Sequence, residues 1–244
     1  MKTVVVAPTY QEADNIREFL EGVRAAVPDA DVLVVDDNSP DGTGRIAEEV
    51  AARLGHIEVL HRPQKDGLGA AYRAAFERVL AGDHDVVVQM DCDGSHDPAT
   101  VPDLLAALDG GADCAIGSRY VPGGSTPNWP LHRRVLSRYG NLYTSALLRL
   151  HIRDATSGFR AYRAQVLRDI AVTSTRSTGY AFMSEVAARI VRRGATVAEV
   201  PITFVDRTRG TSKMSSRIIV ESMTRVTVNG LRSRLRRDGR TEPA

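Results

Sequence analysis

Short β-rich runs alternate with amphipathic helical segments throughout the first half of this sequence. Five runs rich in apolar and β-branched residues have the length of strands: Thr3 to Ala7, Asp31 to Val35, Ile57 to His61, Asp85 to Met90 and Ala112 to Gly117. Strands that are separated by single helices pair in parallel through right-handed crossovers. The sequence therefore predicts an α/β fold with a doubly wound, mostly parallel sheet and helices on both faces.

The second half of the sequence is less regular. The elements expected there are a loop rich in proline and glycine, two helices, a strand and a final helix, at residues 121–130, 131–150, 180–193, 196–205 and from about Ser216. With 244 residues, the chain is long enough to bury one sizeable core. We predict one domain at residues 1–215, followed by a basic amphipathic helix and tail at residues 216–244.

Composition and charge exclude several classes of protein. The formal net charge of +2 is too small to indicate nucleic-acid binding, although the charges from Lys213 onward are mostly basic. No uncharged window approaches the ~20 residues that span a bilayer, and the chain begins with a strand pattern rather than a signal sequence. Cys92 and Cys114 lie in or beside apolar runs, which favours reduced core thiols over a disulfide framework. We expect a cytoplasmic protein, peripheral at the cytoplasmic face of a membrane.

Two aspartates follow the fourth predicted strand. Asp91 and Asp93 are two residues apart, so in extended backbone their side chains point the same way. Parallel sheets bind ligands beyond the carboxyl ends of their strands, where this pair is expected. Oxygen ligands favour Mg²⁺ or Mn²⁺, and such a cation would bridge the phosphates of a nucleotide sugar. The alternative is a solvated acidic turn, but delivery of the pair by an apolar strand favours a metal site.

Two more strand ends are expected at the same edge of the sheet. Asp36 and Asp37 close the second predicted strand, and residues 7–12 leave the first. Tyr10 is suited to stack on a base, and Glu12 to accept hydrogen bonds from it. The same residues are equally compatible with an ordinary turn and helix entry.

One glycine pattern is a lookalike. Residues 42–47 match the dinucleotide fingerprint Gly-x-Gly-x-x-Ala and open a helix after a strand. In a true dinucleotide site the glycines follow the strand directly, whereas here Asp36, Asp37 and Asp41 intervene and would repel phosphates. The sequence therefore disfavours a pyrophosphate cradle at this turn.

Basic residues appear later in the chain. Arg119 and Arg207 each lie in a loop after a predicted strand, Lys213 follows Arg207, and Arg133 opens the helix after the Pro/Gly loop. Cations that face an acidic metal site suit phosphate groups. Arg134, Arg138 and Arg149 are instead expected on a solvated helix face.

Six motifs in this order and spacing resemble the polyprenol (dolichol) phosphate mannose synthases of glycosyltransferase family 2. They cover roughly residues 3–215 and are Ala7-Pro-Thr-Tyr-Gln-Glu12, Val35-Asp-Asp-Asn-Ser-Pro-Asp-Gly-Thr43, Lys65-Asp-Gly-Leu-Gly-Ala-Ala-Tyr72, Met90-Asp-Cys-Asp93, Gly117-Ser-Arg-Tyr120 and Gly210-Thr-Ser-Lys-Met214. The resemblance implies a GT-A fold. It also implies metal-dependent, inverting transfer of mannose from GDP-mannose to a polyprenyl monophosphate.

The resemblance also assigns roles to individual residues. It implies that guanosine is held by Pro8, Tyr10, Glu12, Val35 and Asp37. The metal would lie on Asp91 and Asp93, with the hydroxyl of Ser95 in its shell and the backbone of Cys92 at the nucleotide sugar. Arg119, Arg207 and Lys213 would bind the phosphates, and Arg133 would help with the acceptor phosphate.

This chain departs from the family pattern at Cys92, where alanine is frequent, whereas Ser95 stands where glutamine or serine occurs and keeps an oxygen for the metal shell. Family members carry or lack C-terminal membrane helices. Here the apolar positions Ile219, Val220, Met223, Val226, Leu231 and Leu235 follow helical spacing among arginines. This helix would lie on an anionic membrane, pack on the domain with residues 232–240 in solvent, or bind a membrane-embedded partner subunit.

The implied acceptor needs no strong general base, because a phosphate monoester has a second pKa of about 6 and is mostly dianionic at neutral pH. Glu185 or Asp154 is available to orient the sugar hydroxyls. Three rival functions remain open: transfer of glucose or N-acetylglucosamine from a UDP donor, nucleotidyl transfer, and a non-catalytic nucleotide-binding subunit. A nucleotidyltransferase would place a glycine-rich loop after the first strand, and residues 8–12 contain no glycine.

Overall fold

The computed structural model describes residues 1–207, 223–224, 226–228 and 230. Within these residues, seven strands form one sheet in the order β3-β2-β1-β4-β6-β5-β7. The strands are β1 Thr3–Thr9, β2 Asp31–Asp36, β3 Ile57–His61, β4 Val86–Gln89, β5 Cys114–Ser118, β6 Arg160–Arg163 and β7 Val197–Pro201. The helices are α1 Ile16–Ala26, α2 Thr43–Leu54, α3 Leu68–Leu80, α4 Val101–Asp109, α5 Leu131–Leu148, α6 Ala164–Asp169 and α7 Gly179–Arg192.

The alternation of side chains along the strands builds a core on each face of the sheet. Val4 and Val6 of β1 join one cluster, which is covered by α3, α6 and α7. Val5 and Ala7 join the other, which is covered by α1, α2 and α4. The α/β prediction of a mostly parallel sheet with helices on both faces is confirmed.

Among the described residues one strand, β6, is antiparallel to its neighbours, and the sequence reasoning missed it. β6 pairs antiparallel with both β4 and β5, whereas the other pairings in the sheet are parallel. β6 has only four residues, Arg-Ala-Tyr-Arg. Because two of them are arginines, the sequence does not show the apolar pattern by which a strand is recognised. Arg160 is fully buried there and donates to the backbone carbonyls of Ser157, Ala155 and Met183.

Several predicted element ends are corrected by one or more residues. The seventh strand ends at Pro201 rather than near residue 205, although Ile202 N–H still donates to Ser118 O and Thr203 forms an isolated bridge with Ser125. Helix α5 ends at Leu148 rather than residue 150, because Arg149 adopts a left-handed conformation with a φ of 54°. Cys92 and Cys114 are free and buried, as predicted for core thiols.

The predicted C-terminal helix lies largely outside the described residues. Of that segment, Val226 is buried, and Gly230 lies against Leu147 at the end of α5. The hydroxyl groups of Tyr143 and Thr227 are 2.8 Å apart. These contacts place the described part of the segment beside α5, while the boundary at residue 215 stays a prediction. No helix among the described residues is long and apolar enough to cross a membrane.

We expect opposite effects from two Gly→Ala substitutions in helices. A Cβ on Gly69 would meet the carbonyl oxygen of Ser177 at 2.5 Å, so Gly69→Ala should destabilise the protein by about 1–3 kcal/mol. A Cβ on Gly140 of α5 meets nothing within 4 Å, so Gly140→Ala should stabilise it by about 0.5–1 kcal/mol. Urea unfolding measures both changes. An unchanged midpoint for Gly69→Ala would contradict the close approach of α3 to residue 177.

Candidate active site

The candidate site lies at the carboxyl ends of β1, β2 and β4. In the strand order the chain moves outward from β1 to β2 and β3, and then returns to place β4 on the other side of β1. This reversal leaves a crevice beyond the strand ends, which is where open α/β sheets bind ligands. The segments that follow these three strands carry the acidic residues singled out in the sequence.

After β4, successive side chains point to opposite sides, so the carboxylates of Asp91 and Asp93 lie away from the thiol of Cys92. Cys92 is buried in the core between the sheet and α4, whereas Asp91 and Asp93 are partly exposed on the opposite side. Only the backbone of Cys92 is therefore available to a ligand. The Tyr72 hydroxyl donates to Asp91 Oδ1 at 3.3 Å, and burial raises the pKa of Tyr72 well above its ordinary value, so this donor stays protonated.

Asp93 makes three polar contacts within the part of the chain that the structure describes. The backbone N–H and hydroxyl of Ser95 both donate to Asp93 Oδ1, at 3.1 and 2.6 Å. The guanidinium of Arg207 lies 2.8 Å from Asp93 Oδ2. A predicted phosphate ligand and a predicted metal ligand are thus in direct contact.

The two carboxylates have pKa values shifted in opposite directions. Burial raises the pKa of Asp91, and the negative charge of Asp93 acts in the same direction. Burial alone would also raise the pKa of Asp93, but the Ser95 hydrogen bond and the charge of Arg207 outweigh it and hold this pKa below its ordinary value. Asp93 is therefore the firmly ionised member, and Asp91 the one that gains most from a further cation.

His96 supports the turn that carries the pair. Its Nδ1 accepts the backbone N–H of Asp91 at 3.0 Å, which places the ring proton of the neutral form on Nε2. Burial lowers the pKa of His96, so the ring is neutral at neutral pH. The ring stacks on Phe159 with centroids 5.0 Å apart and meets Phe204 edge-on at 5.7 Å.

The segments assigned to the nucleoside are brought together by the register of β1 and β2. Pro8 pairs with Val35, and the chain continues into Tyr10 and Glu12. Val35 is fully buried, so any contact it makes with a ligand comes from its backbone. Lys65 Nζ lies 3.9 Å from the centroid of the Tyr10 ring. A base stacking on that face of Tyr10 would take the place of this ammonium.

Asp36 and Asp37 have different roles despite being neighbours. Asp36 accepts from the hydroxyl groups of Thr9 and Ser39 and organises the turn after β2. Asp37 faces the guanidinium of Arg62 at 2.5 Å. Burial raises the pKa of Asp37, although the charge of Arg62 opposes this. Arg62 follows β3 as Asp37 follows β2, so the strand register is the signal that pairs them.

Residues 42–47, which match the dinucleotide fingerprint, do not form a phosphate-binding turn. Asp41 Oδ1 accepts the N–H and the hydroxyl of Thr43, the first residue of α2. The chain thus places its own carboxylate at the helix N-terminus, where a phosphate would bind. This agrees with the sequence interpretation.

Arg119 is buried in an ion pair that the sequence reasoning missed. Its guanidinium binds both oxygens of Asp154 at 2.7 Å, and it also donates to the Thr156 hydroxyl at 3.0 Å. The rings of Tyr120, Trp129 and Phe204 lie 5.3–5.7 Å from its central carbon. With Arg119 9% and Asp154 0% exposed, both charges are almost withdrawn from water. Asp154 is therefore occupied by Arg119.

Arg133 occupies a more open position. Its Nη1 donates to Asp206 Oδ2 at 2.7 Å, and its guanidinium lies 4.1 Å from the centroid of the Trp129 indole. The indole N–H of Trp129 donates to the other oxygen of Asp206. Asp206 directly precedes Arg207 in the chain, so Arg133 is linked to the contact with Asp93.

The structure thus brings most of the predicted site residues to one edge of the sheet. Lys213 lies outside the described residues. Glu185 accepts from the backbone of Arg176 and Ser177 and pairs with Arg189, so it holds a loop. Tyr72 was visible in a motif but received no role, because nothing in a helical pattern indicates which carboxylate a buried hydroxyl meets.

Comparison with known proteins identifies the family. The model of glycosyl transferase family 2 matches residues 4–171. The chain is 48% identical over 237 residues to the polyprenol monophosphomannose synthase of Mycolicibacterium smegmatis. The alignment covers 97% of this chain and 89% of that protein. It is 48% identical over 234 residues to the undecaprenyl-phosphate mannosyltransferase of Micrococcus luteus, with 96% of each chain covered.

Solved structures share the fold at low sequence identity. The mannosyl-3-phosphoglycerate synthase of Rubrobacter xylanophilus has a TM-score of 0.68 at 20% identity, covering 100% of this chain and 76% of that one. A mannosyltransferase of Pyrobaculum calidifontis, solved with GDP-Man and Mn²⁺, has a TM-score of 0.65 at 16% identity. The match covers 95% of this chain and 64% of that one. These likenesses confirm the predicted GT-A fold.

We expect Asp154→Asn to be strongly destabilising, because it leaves the buried charge of Arg119 without a counterion. Loss of one partner of a buried pair costs about 3–5 kcal/mol. Thermal unfolding followed by circular dichroism measures this. The control is Asp83→Asn, which breaks the exposed pair with Lys2 and should leave the melting temperature unchanged. Equal melting temperatures for the two variants would contradict the buried pair.

Proposed function

We propose that this chain, which belongs to glycosyl transferase family 2, transfers mannose from GDP-mannose to a polyprenyl monophosphate with inversion at the sugar carbon. Two relatives that align along nearly its whole length are named for mannose transfer to such lipids. The structural observation that carries the proposal is the meeting, beyond β4, of a partly exposed carboxylate pair and the guanidinium of Arg207. This arrangement suits a departing diphosphate.

The donor atoms at Asp91 and Asp93 fit Mg²⁺ or Mn²⁺, which prefer carboxylate oxygens. Among the described residues, no group of three or more His, Cys, Asp or Glu side chains converges to hold a metal by itself. A cation held by one or two carboxylates together with substrate phosphates is the usual arrangement for Mg²⁺. Such a cation would supply Lewis-acid neutralisation of the leaving diphosphate. Ser95 fixes the orientation of the Asp93 carboxylate through its two hydrogen bonds.

Arg207 has a second part in this proposal. Its guanidinium balances the charge of Asp93 in the free protein. We propose that, when a donor and its cation bind, the same guanidinium turns to the diphosphate and stabilises the negative charge that develops there. Tyr72 and His96 hold Asp91 from its side chain and its backbone, so the carboxylate keeps its position during this exchange.

The acceptor is proposed to approach from the side of Arg133. A phosphate monoester is mostly dianionic at neutral pH, since its second pKa is about 6, and one of its oxygens attacks the sugar carbon directly. Arg133 is partly exposed and is held by Asp206 and the Trp129 indole, so it is placed to meet this phosphate. Arg119 is fixed between Asp154 and three aromatic rings, so its guanidinium, whose charge Asp154 balances, keeps one orientation beside this route.

The proposal predicts that Asp93→Asn lowers turnover at least ~10²-fold, because a major electrostatic contribution to catalysis is lost. Transfer of radiolabelled mannose from GDP-mannose to a short polyprenyl phosphate, with saturating Mg²⁺, measures it. Asp97→Asn is the matched control, since Asp97 caps the next turn by accepting from Ala99 N, and asparagine caps equally well. Turnover near that of the wild type for Asp93→Asn would defeat the metal assignment.

The donor assignment predicts a selective response in thermal stability. GDP-mannose with Mg²⁺ or Mn²⁺ should raise the melting temperature by mass action, and UDP-glucose and UDP-N-acetylglucosamine should not. Chelation of the cation should remove the shift. A shift with a UDP-sugar alone would transfer the proposal to that donor, and no transfer by purified protein with any donor would favour a non-catalytic subunit.

A further inference from the structure

Helix α5 presents the opposite of the usual amphipathic pattern. The side that packs on the domain is polar as far as Ser145: Asn141 and Thr144 are buried, and Ser137, Asn141 and Ser145 hydrogen-bond to neighbouring segments. Leu148, the last residue of the helix, packs on the hydrophobic core. Asn141 Oδ1 accepts the N–H of Thr156 at 3.0 Å, next to the loop that carries Asp154. A soluble surface helix normally turns its apolar stripe inward.

The outward side of α5 carries the large apolar residues. Their relative exposures run from 40% to 76%, and successive members are one to four residues apart on one helical stripe: Leu131, Val135, Leu136, Tyr139, Leu142 and Tyr143. A contiguous exposed patch of this kind marks a surface that is covered in the functional state. We call these six residues the α5 patch.

The charged side chains of α5 itself are all basic. Helix α5 contains no aspartate or glutamate over its 18 residues, but it contains Arg133, Arg134 and Arg138. Arg134 and Arg138 are exposed. Leucines and tyrosines flanked by arginines are typical of helices that lie in the interface of an anionic bilayer with their apolar side in the lipid.

The α5 patch is also continuous with the candidate active site. The helix begins at Leu131, two residues before Arg133, whose guanidinium is bound by Asp206. Asp206 adjoins Arg207, which contacts Asp93. An anionic lipid at the start of α5 would therefore meet Arg133 at the entrance to the site.

We propose that the α5 patch is the surface by which this chain lies directly on an anionic lipid bilayer, with its leucines and tyrosines in the interface. The proposal rests on the proposed function for the choice of a membrane as the occupant. It places the direct lipid contact on α5. Of the described residues in the C-terminal segment, Val226 and Gly230 pack inward, whereas Thr227 meets Tyr143 and therefore adjoins one end of the α5 patch.

The test is flotation of the full-length chain with protein-free vesicles of mixed phosphatidylcholine and phosphatidylglycerol. We expect the wild type to float with these vesicles, and Leu136→Glu/Leu142→Glu to partition about tenfold less or weaker still, because two apolar anchors become anions. Arg134→Gln/Arg138→Gln should lose the preference for anionic over neutral vesicles while keeping its melting temperature.

The matched control is Ala25→Glu/Ala52→Glu, which adds the same two negative charges at exposed positions of α1 and α2. It should float like the wild type. All variants should transfer sugar to a short, water-soluble polyprenyl phosphate at the wild-type rate, because the α5 patch touches no reacting group. This assay separates the two ideas: no transfer by any protein defeats the proposed function, and vesicle binding is read independently.

Two outcomes would overturn the docking proposal. The first is equal vesicle binding by the wild type and the Leu136→Glu/Leu142→Glu variant. The second is no binding of the wild type to protein-free vesicles, whether the α5 patch then proves to join two copies of the chain in sedimentation velocity or to require membranes that contain a protein.

Discussion

Charges withdrawn from bulk water must be balanced inside the protein, and this constraint organises the ligand edge of the sheet. Each acidic residue beyond the strand ends has a cationic or hydrogen-bonding neighbour: Asp37 has Arg62, Asp93 has Arg207 and Ser95, Asp91 has Tyr72, and Asp154 has Arg119. The edge is therefore a network of opposite charges rather than an acidic pocket. A substrate that brings both phosphates and a cation can exchange partners with this network without leaving a charge unmatched.

The sheet explains why these partners meet. β1 and β4 lie side by side although the sequence separates them by two strands and three helices, and the parallel register puts their carboxyl ends at one level. Successive side chains along the extended backbone point to opposite sides, so some reach the crevice whereas Cys92 and Val35 are buried in the core. A residue in a family motif can thus contribute through its backbone alone.

The α/β architecture and the place of the site were predictable from sequence, because both follow from periodicity and from the rule for parallel sheets. The order of six motifs identified the family, which the comparisons confirm. The ion partners were not predictable in the same way. Asp154 and Arg119 are 35 residues apart and meet across loops, and β6 is antiparallel with a sequence that shows no strand alternation. The apolar pattern of residues 131–150 predicted a helix, but periodicity alone does not state which stripe faces inward, and here the polar one does.

The three arginines of the site differ in how much freedom they retain. The side chains of Arg133, Arg207 and Arg119 are 37%, 26% and 9% exposed, in the order from rim to interior. Arg119 has lost its rotamer freedom during folding, so its orientation beside Asp154 is fixed before any ligand arrives. The more exposed side chains of Arg133 and Arg207 still lose rotamer entropy when a ligand binds. The site therefore combines one arginine of fixed orientation with two that are more exposed. A ligand has to supply the free energy of ordering only for Arg133 and Arg207.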